Sequence, residues 1–467
     1  MRYISTRGEA PRLGFSEAML VGLARDGGLY TPLKPPLASP AEIRALSGLS
    51  YAEAATRLIA PFVDDEIDRA ELAALAEDAY AGFRHAAAAP LVQLDDNLFL
   101  LELFHGPTLA FKDFAMQWLG RMMDRALRRR QTRATILGAT SGDTGAAAIA
   151  AFGGQSQTDV FILYPQGRIS DVQRRQMTTV DQPNVHAVAI EGTFDDCQAI
   201  VKALFNDLSF RDAMKLSGVN SINWARILAQ IVYYFTSAAA LGAPDRRVSF
   251  AVPTGNFGDV LAGYYAKRMG LSIDRLAIAT NENDILARTL ASGVYKPLGV
   301  KATQSPSMDI QISSNFERLL FESCDRDAGA VRALMGALEQ SGEFTVAPGP
   351  LAAIRRDFDA YRVDEEACAE EIGRAYRSSG VVIDPHTAVG VNAARRALAR
   401  DSATPVVALA TAHPAKFPDA VERAIGLRPA LPPPWRDIES RQERLSVLPA
   451  DAAAVAQFVR AGVRAAA

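Results

Sequence analysis

Cysteine is nearly absent. Cys197, Cys324 and Cys368 are the only three in 467 residues, far apart and odd in number, so neither a disulfide framework nor a zinc cluster is expected and a reducing cytoplasm fits best. No run of about 18 apolar residues occurs, and Met1 to Met19 mixes arginine, glutamate and glycine, so neither a membrane span nor a signal peptide is expected. No excess of one charge sign is present either. Lys+Arg 50 against Asp+Glu 53 leaves a net charge of -3, which offers no general attraction to nucleic acid or to an anionic membrane. The one basic run, Arg128 Arg129 Arg130, reads as the solvated end of a helix. The histidines at 85, 105, 186, 386 and 413 lack metal-ligand spacing, so no metal is expected. Neither a Walker lysine pattern nor a G-x-G-x-x-G spacing occurs, which weakens nucleotide and dinucleotide readings. Lysine is scarce as well, found only at 34, 112, 202, 215, 267, 296, 301 and 416, so each one's setting is informative.

What is there is a folded chain. It is 49% hydrophobic and 22% charged, the balance of a globular protein, and too long for one ordinary core. Residues 1–92 hold a Pro-rich break at Thr31 to Pro40, then two stretches with apolar residues at helical spacing, Ala41 to Phe62 and Asp64 to Phe83. They read as a mainly helical N-terminal accessory domain. Ala86 to Pro90 and the polar Asp95 Asp96 Asn97 read as a connection, with the boundary near 92. Beyond it, Arg133 to Leu137, Val160 to Tyr164, Val185 to Ile190, Val248 to Val252, Leu276 to Ala279 and Val406 to Ala410 read as buried strands. Helical patterns such as Thr193 to Leu208, Trp224 to Leu241 and Phe417 to Ile425 lie between or after them. This alternation predicts an α/β protein with mostly parallel sheet, covered on both faces, over 93–430. Residues 431–467 read as a C-terminal extension packing on it, ending in an Ala-rich surface helix from Ala450 to Ala467.

Five segments carry chemistry. Lys112 sits between Phe111 and Phe114, and an amine desolvated by aromatic rings has a lowered pKa, as Schiff-base chemistry requires. The plain alternative is a helix lysine reaching to solvent. Thr140, Ser141, Asp143 and Thr144 lie in a glycine-rich turn from strand to Ala-rich helix, where free backbone N–H groups and hydroxyls can hold a phosphate or carboxylate. A second such turn is Thr254 to Asp259, which includes Gly255, Asn256, Phe257 and Gly258. Two anion turns on one sheet face suit a ligand with two anionic ends, although both could be ordinary turns. Asn220, Ser221 and Arg226 form a third element, either a phosphate clamp or a simple helix cap. Thr411 ends the strand Val406 to Ala410 and faces the usual ligand crevice of a parallel sheet, while His413 and Lys416 read as structural.

In order, FHGPTLAFKDF (104–114), TSGDTG (140–145), NSINWAR (220–226), TGNFGD (254–259) and TAHPAKF (411–417) closely resemble the threonine synthase family, in its longer form with an extra N-terminal domain. Asp26 to Tyr30 looks like that form's N-terminal signature. The resemblance implies a pyridoxal-phosphate fold like that of the tryptophan-synthase β-subunit, with two parallel-sheet subdomains. It implies that Lys112 bonds pyridoxal 5'-phosphate and shuttles protons, that Gly255 to Asp259 cradle the cofactor phosphate, and that the Thr411 hydroxyl faces the pyridine nitrogen. It implies further that Thr140, Ser141, Asp143 and Thr144 close over the substrate while Asn220, Ser221 and Arg226 clamp its phosphate. A hydroxyl beside the ring nitrogen does not favour its protonation, which suits elimination and replacement. Departures are small: Gln166 stands where a basic residue is common, and Thr254 where serine is frequent. The implied reaction turns O-phospho-L-homoserine and water into L-threonine and phosphate, in a cytoplasmic monomer or homodimer. Two alternatives remain at this point: a phospho-lyase giving 2-oxobutanoate, phosphate and ammonia, and a nucleotide-binding regulator without turnover.

Overall fold

Val248–Pro253 (VSFAVP) and Val406–Ala410 (VVALA) show no alternation of apolar and polar residues. In the computed structural model of the chain, every residue of both is buried, as expected of strands covered on two faces. The structure describes residues 1–63 and 65–464. Asp64, where one expected helical stretch begins, and 465–467, the end of the expected Ala-rich helix, lie outside the described residues.

The larger sheet has six strands in the order Phe358–Arg362, Ile273–Thr280, Val248–Pro253, Val406–Ala410, Leu98–Glu102, Leu91–Asp95. All neighbours are parallel except the edge pair Leu91–Asp95 and Leu98–Glu102. The polar residues 95–97, expected to be a connection, include the tight turn of this hairpin, where Asn97 takes a φ of 55°. Five strands make the second sheet, in the order Ser446–Pro449, Val185–Glu191, Thr158–Pro165, Ala134–Ala139, Leu216–Ser217, all parallel. The α/β class with mostly parallel sheet is therefore what the chain adopts. Ser446–Pro449 is only partly buried at that sheet's edge, so it carries no apolar run that a sequence pattern would reveal. Behind it, the helix Ala452–Gly462 buries Val455 and Val459 against the same layer as Phe161 and Val188.

The N-terminal helices Tyr51–Val63 and Arg69–Tyr80 share one continuous apolar core with the larger body. Trp224 is the seam: its ring lies 6.2 Å from those of Tyr3 and Phe62 and 4.9 Å from that of Tyr265. Each fully buried aromatic of this kind contributes roughly 1.5–3 kcal/mol. Arg318, fully buried, adds a polar stitch. It donates to the Tyr30 carbonyl at 3.0 and 2.7 Å and to the Ile222 carbonyl at 2.7 Å, tying the N-terminal segment to the start of the helix Trp224–Ala240. Because the central strands are parallel, the loops leaving Ala134–Ala139, Val248–Pro253 and Val406–Ala410 open at the carboxyl ends of the sheets.

Candidate active site

Lys112 opens the helix Lys112–Arg129, straight after a turn held from two sides. The Phe111 N–H donates to the Thr411 carbonyl at 2.9 Å, fastening the turn to the end of Val406–Ala410. Asp113, fully buried, accepts the Thr108 N–H and hydroxyl at 2.7 Å each. Burial pushes the Asp113 carboxyl up to about 6 against those bonds. Held this way, the Lys112 Nζ lies 3.3 Å from both Asp143 Oδ2 and Ser307 Oγ, and 4.9 Å from the Phe111 ring centre. Phe114 does not flank the amine as expected. Its ring packs against Tyr51, Tyr80, Phe83 and Tyr233, because the side chain two residues along a helix points to another face. Burial drives the Lys112 ammonium below its ordinary pKa; Asp143 opposes this, and Lys416 and Arg226 add to it.

Asp143 starts the helix Asp143–Phe152 and is buried between two lysines. Its Oδ1 receives Lys416 Nζ at 2.6 Å and Gln173 Nε2 at 2.8 Å, and its Oδ2 faces Lys112 and Ser307. Burial alone would raise its pKa, but the two ammonium groups outweigh that and hold the carboxyl well below the usual range. Gly142, at φ 137°, permits this approach, since a methyl group there would run into the Gln173 amide. Thr140 Oγ1 accepts the Gly142 and Gly145 N–H groups at 2.9 Å each, so it closes its own turn, while Ser141 and Thr144 are half-buried.

The loop Thr254 to Asp259 ends in the helix Gly258–Arg268, whose cap residue Phe257 is left-handed (φ 64°) and provides no side-chain cap. The first-turn N–H groups are thus left without an intrahelical partner. A methyl group on Gly255 would sit 2.9 Å from the Ser307 carbonyl oxygen and 3.0 Å from Ile310 Cδ1, so only glycine allows this close approach. The Asp259 carboxylate turns away from the loop. Its Oδ1 accepts the Tyr233 hydroxyl at 2.5 Å and the Tyr234 hydroxyl at 3.0 Å, and burial pushes its pKa up to about 7. Asn256 and the third element meet at Asn315, whose Nδ2 donates to the Asn256 carbonyl at 3.2 Å and the Ser221 carbonyl at 3.1 Å.

Of that third element, Arg226 is buried, with Nη1 donating to the Val219 carbonyl at 3.0 Å and Nε without a partner among the described residues. Burial lowers its pKa to about 10, so it stays charged near neutrality. Asn220 is exposed on the surface and does not join it. Thr411 is buried next to the Lys112 turn. Lys416, expected to be structural, is fully buried within this cluster, whereas His413 is held neutral by burial, its pKa lowered to about 4. Gln166 is exposed at the end of its strand.

Sequence reasoning did not find Ser307, Gln173, Asn315 or the pair Asp384 and His386. His386 Nδ1 lies 2.6 Å from Asp384 Oδ2, and its Nε2 accepts the Ser307 N–H at 3.2 Å. Asp384 followed by Pro385 is a helix-start signal and caps Pro385–Leu398, but nothing local says that His386 reaches Ser307. Gly255→Val is expected to raise the dissociation constant for a phosphate-bearing cofactor at least about tenfold, with a smaller change for substrate. Fluorescence titration of both decides it, and an unchanged cofactor constant would leave the loop as a mere turn.

A family model for pyridoxal-phosphate dependent enzymes matches residues 84–335, the segment that carries Lys112, both glycine turns and Arg226. Fold and site together are therefore those of a pyridoxal-phosphate-dependent enzyme. Models of the threonine synthase N terminus and of the threonine synthase C-terminal region match 2–80 and 387–459. A threonine synthase from Pseudomonas aeruginosa is 52% identical over 460 residues, 98% of each chain. The structure of a PLP-bound threonine synthase from Brucella melitensis superposes with a TM-score of 0.97 at 59% identity, covering 100% of both chains. That of the yeast threonine synthase gives 0.94 at 42% identity, covering 99% of this chain and 98% of the other. The chain belongs to the threonine synthase family.

Proposed function

We propose that this chain forms L-threonine and phosphate from O-phospho-L-homoserine and water, using pyridoxal 5'-phosphate held by Lys112. The observation that carries the reading is a buried Lys112 amine, pushed toward its neutral form, in electrostatic reach of a charged Arg226 and of Asp259 at the uncapped helix start. Those residues fit the cofactor: a nucleophilic amine, a glycine turn that a side chain would fill, and free first-turn N–H groups for a phosphate. When bound, the cofactor supplies an electron sink for charge that develops beside the substrate amino group.

In this reading, the backbone of Gly255 to Asp259 binds the cofactor phosphate, and the Asp259 side chain braces that turn through Tyr233 and Tyr234. Thr411 would offer its hydroxyl to the ring nitrogen of the cofactor, a partner that does not favour protonation there. Lys112, once its amine is free, would take the proton from Cα of the substrate and then one from Cβ, deliver a proton to Cγ after the phosphate has left, and return one to Cα after water has added. Arg226, with Ser221, would hold the phosphate that leaves from Cγ, and water would add at Cβ. Thr140, Ser141, Asp143 and Thr144 line the substrate side. Residues 1–92 act as an accessory unit, 93–430 as the catalytic one and 431–467 as an extension packed on it. We place the protein in the cytoplasm as a monomer or homodimer; its cysteines are free thiols, and no helix among the described residues is long and apolar enough to cross a membrane.

The product decides. Incubation with O-phosphohomoserine in oxygen-labelled water should give threonine labelled in its hydroxyl group, detected by mass spectrometry. Release of phosphate together with 2-oxobutanoate and ammonia would replace this reading by that of a lyase.

A further inference from the structure

Two buried lysines share one carboxylate. Lys416 is 0% exposed, and its Nζ lies 2.6 Å from Asp143 Oδ1 and 2.8 Å from the Thr108 carbonyl. Gln173 fills the remaining reach of the same oxygen at 2.8 Å, so only Oδ2 is left for Lys112, at the longer distance of 3.3 Å. With Asp143 answered at closer range by Lys416, Lys112 is hydrogen-bonded to a carboxylate whose charge is already largely balanced. A lone Asp143 would do the opposite and fix Lys112 as an ammonium ion, which is neither nucleophile nor base.

We propose that Lys416 is a positioning residue for the Lys112 amine: it takes Asp143 Oδ1 together with Gln173, turns Oδ2 toward Lys112, and cancels enough of the carboxylate's charge that Lys112 is held in place without being locked in its protonated form. The inference rests on Lys112 being the reacting lysine. The other titratable groups that act on the cluster are Arg226 and Asp259 on the side of Lys112, and Asp113 and His413 on the side of Lys416. The same turn that carries Lys112 also contributes the Thr108 carbonyl to Lys416, so the two lysines are registered to each other through residues 108–112.

The test reads the proton affinity of Lys112 without substrate. In the full-length chain freed of cofactor, the rate at which trinitrobenzenesulfonate labels Lys112, located by peptide mass mapping, is followed against pH. Removing a neighbouring cation should move the midpoint up by about 1 pH unit in Lys416→Met, and removing the anion should move it down in Asp143→Asn. The pH profile of turnover in the holoenzyme should shift in the same directions. A purely structural lysine would move neither midpoint. If Lys416→Met does not fold, the double variant Lys416→Met, Asp143→Asn removes both charges together. Its midpoint should lie above that of Asp143→Asn, and equal midpoints would overturn the proposal. Because labelling needs no substrate, such a result would leave the threonine-forming reading standing, and a lyase product would leave this one standing.

Discussion

Lys112→Ala is expected to abolish the visible absorption of bound cofactor, the borohydride-trapped label and turnover together. Lys112 is 8% exposed, and its amine lies within 3.3 Å of Asp143 and Ser307 and is depressed in pKa first by burial. It therefore combines the nucleophile that would hold the cofactor with the base that would move protons at Cα and Cβ. Loss of a general base alone typically costs about 10²–10⁴ in rate, and losing the covalent attachment as well should bring the fall to at least about 10⁴. Lys112→Arg should fail equally, because a guanidinium cannot supply a neutral amine. Lys416, the other lysine of the cluster, is the control. A borohydride-trapped label that maps to Lys416 in the native enzyme would sink the assignment. The holoprotein spectrum with peptide mapping is the measurement.

Arg226→Ala is expected to weaken productive binding of O-phosphohomoserine by about 1.5–3 kcal/mol, the usual worth of a hydrogen bond to a charged group, or roughly 10- to 150-fold in kcat/KM. Among the described residues the guanidinium makes one bond, through Nη1 to Val219, and its buried Nε has no partner. Burying a cation with so little compensation costs stability, and an anionic ligand would recover that cost. Unphosphorylated homoserine should accordingly be a very poor substrate of the native enzyme, and Arg226→Ala should narrow the preference for the phosphorylated compound. Steady-state kinetics with both compounds checks this. An unchanged preference would move the phosphate clamp elsewhere. Asn220→Ala should have little effect, since Asn220 is exposed.

The strands were legible where the chain wrote them as short, unbroken apolar runs. Val406–Ala410 has the expected bounds, Val248–Pro253 runs one residue past its expected end, and Ala134–Ala139 and Thr158–Pro165 differ from the expected strands by a residue or two at each end. Burial on both faces leaves that composition in any one strand, so local reading suffices. Leu91–Asp95 and Ser446–Pro449 stand at sheet edges with mixed exposure, and no pattern marks them. The same division runs through the site. Lys112, the glycine turns and Arg226 sit in motifs a few residues long whose chemistry depends on local backbone: a helix start, a left-handed cap, a glycine where no side chain fits. Ser307, Gln173, Asn315 and Lys416 act through hydrogen bonds across separations of 30 to 308 residues. The sequence by itself determined the class of fold and singled out a lysine beside a phenylalanine and the turns suited to anions, because neighbours along the chain define them. Only the tertiary structure decided that Phe114 points away from the amine, that Asp259 braces a turn from behind, and that Asp143 lies between two lysines. Charge and burial at a point in space depend on what distant segments bring there, and no local run of residues encodes that distance.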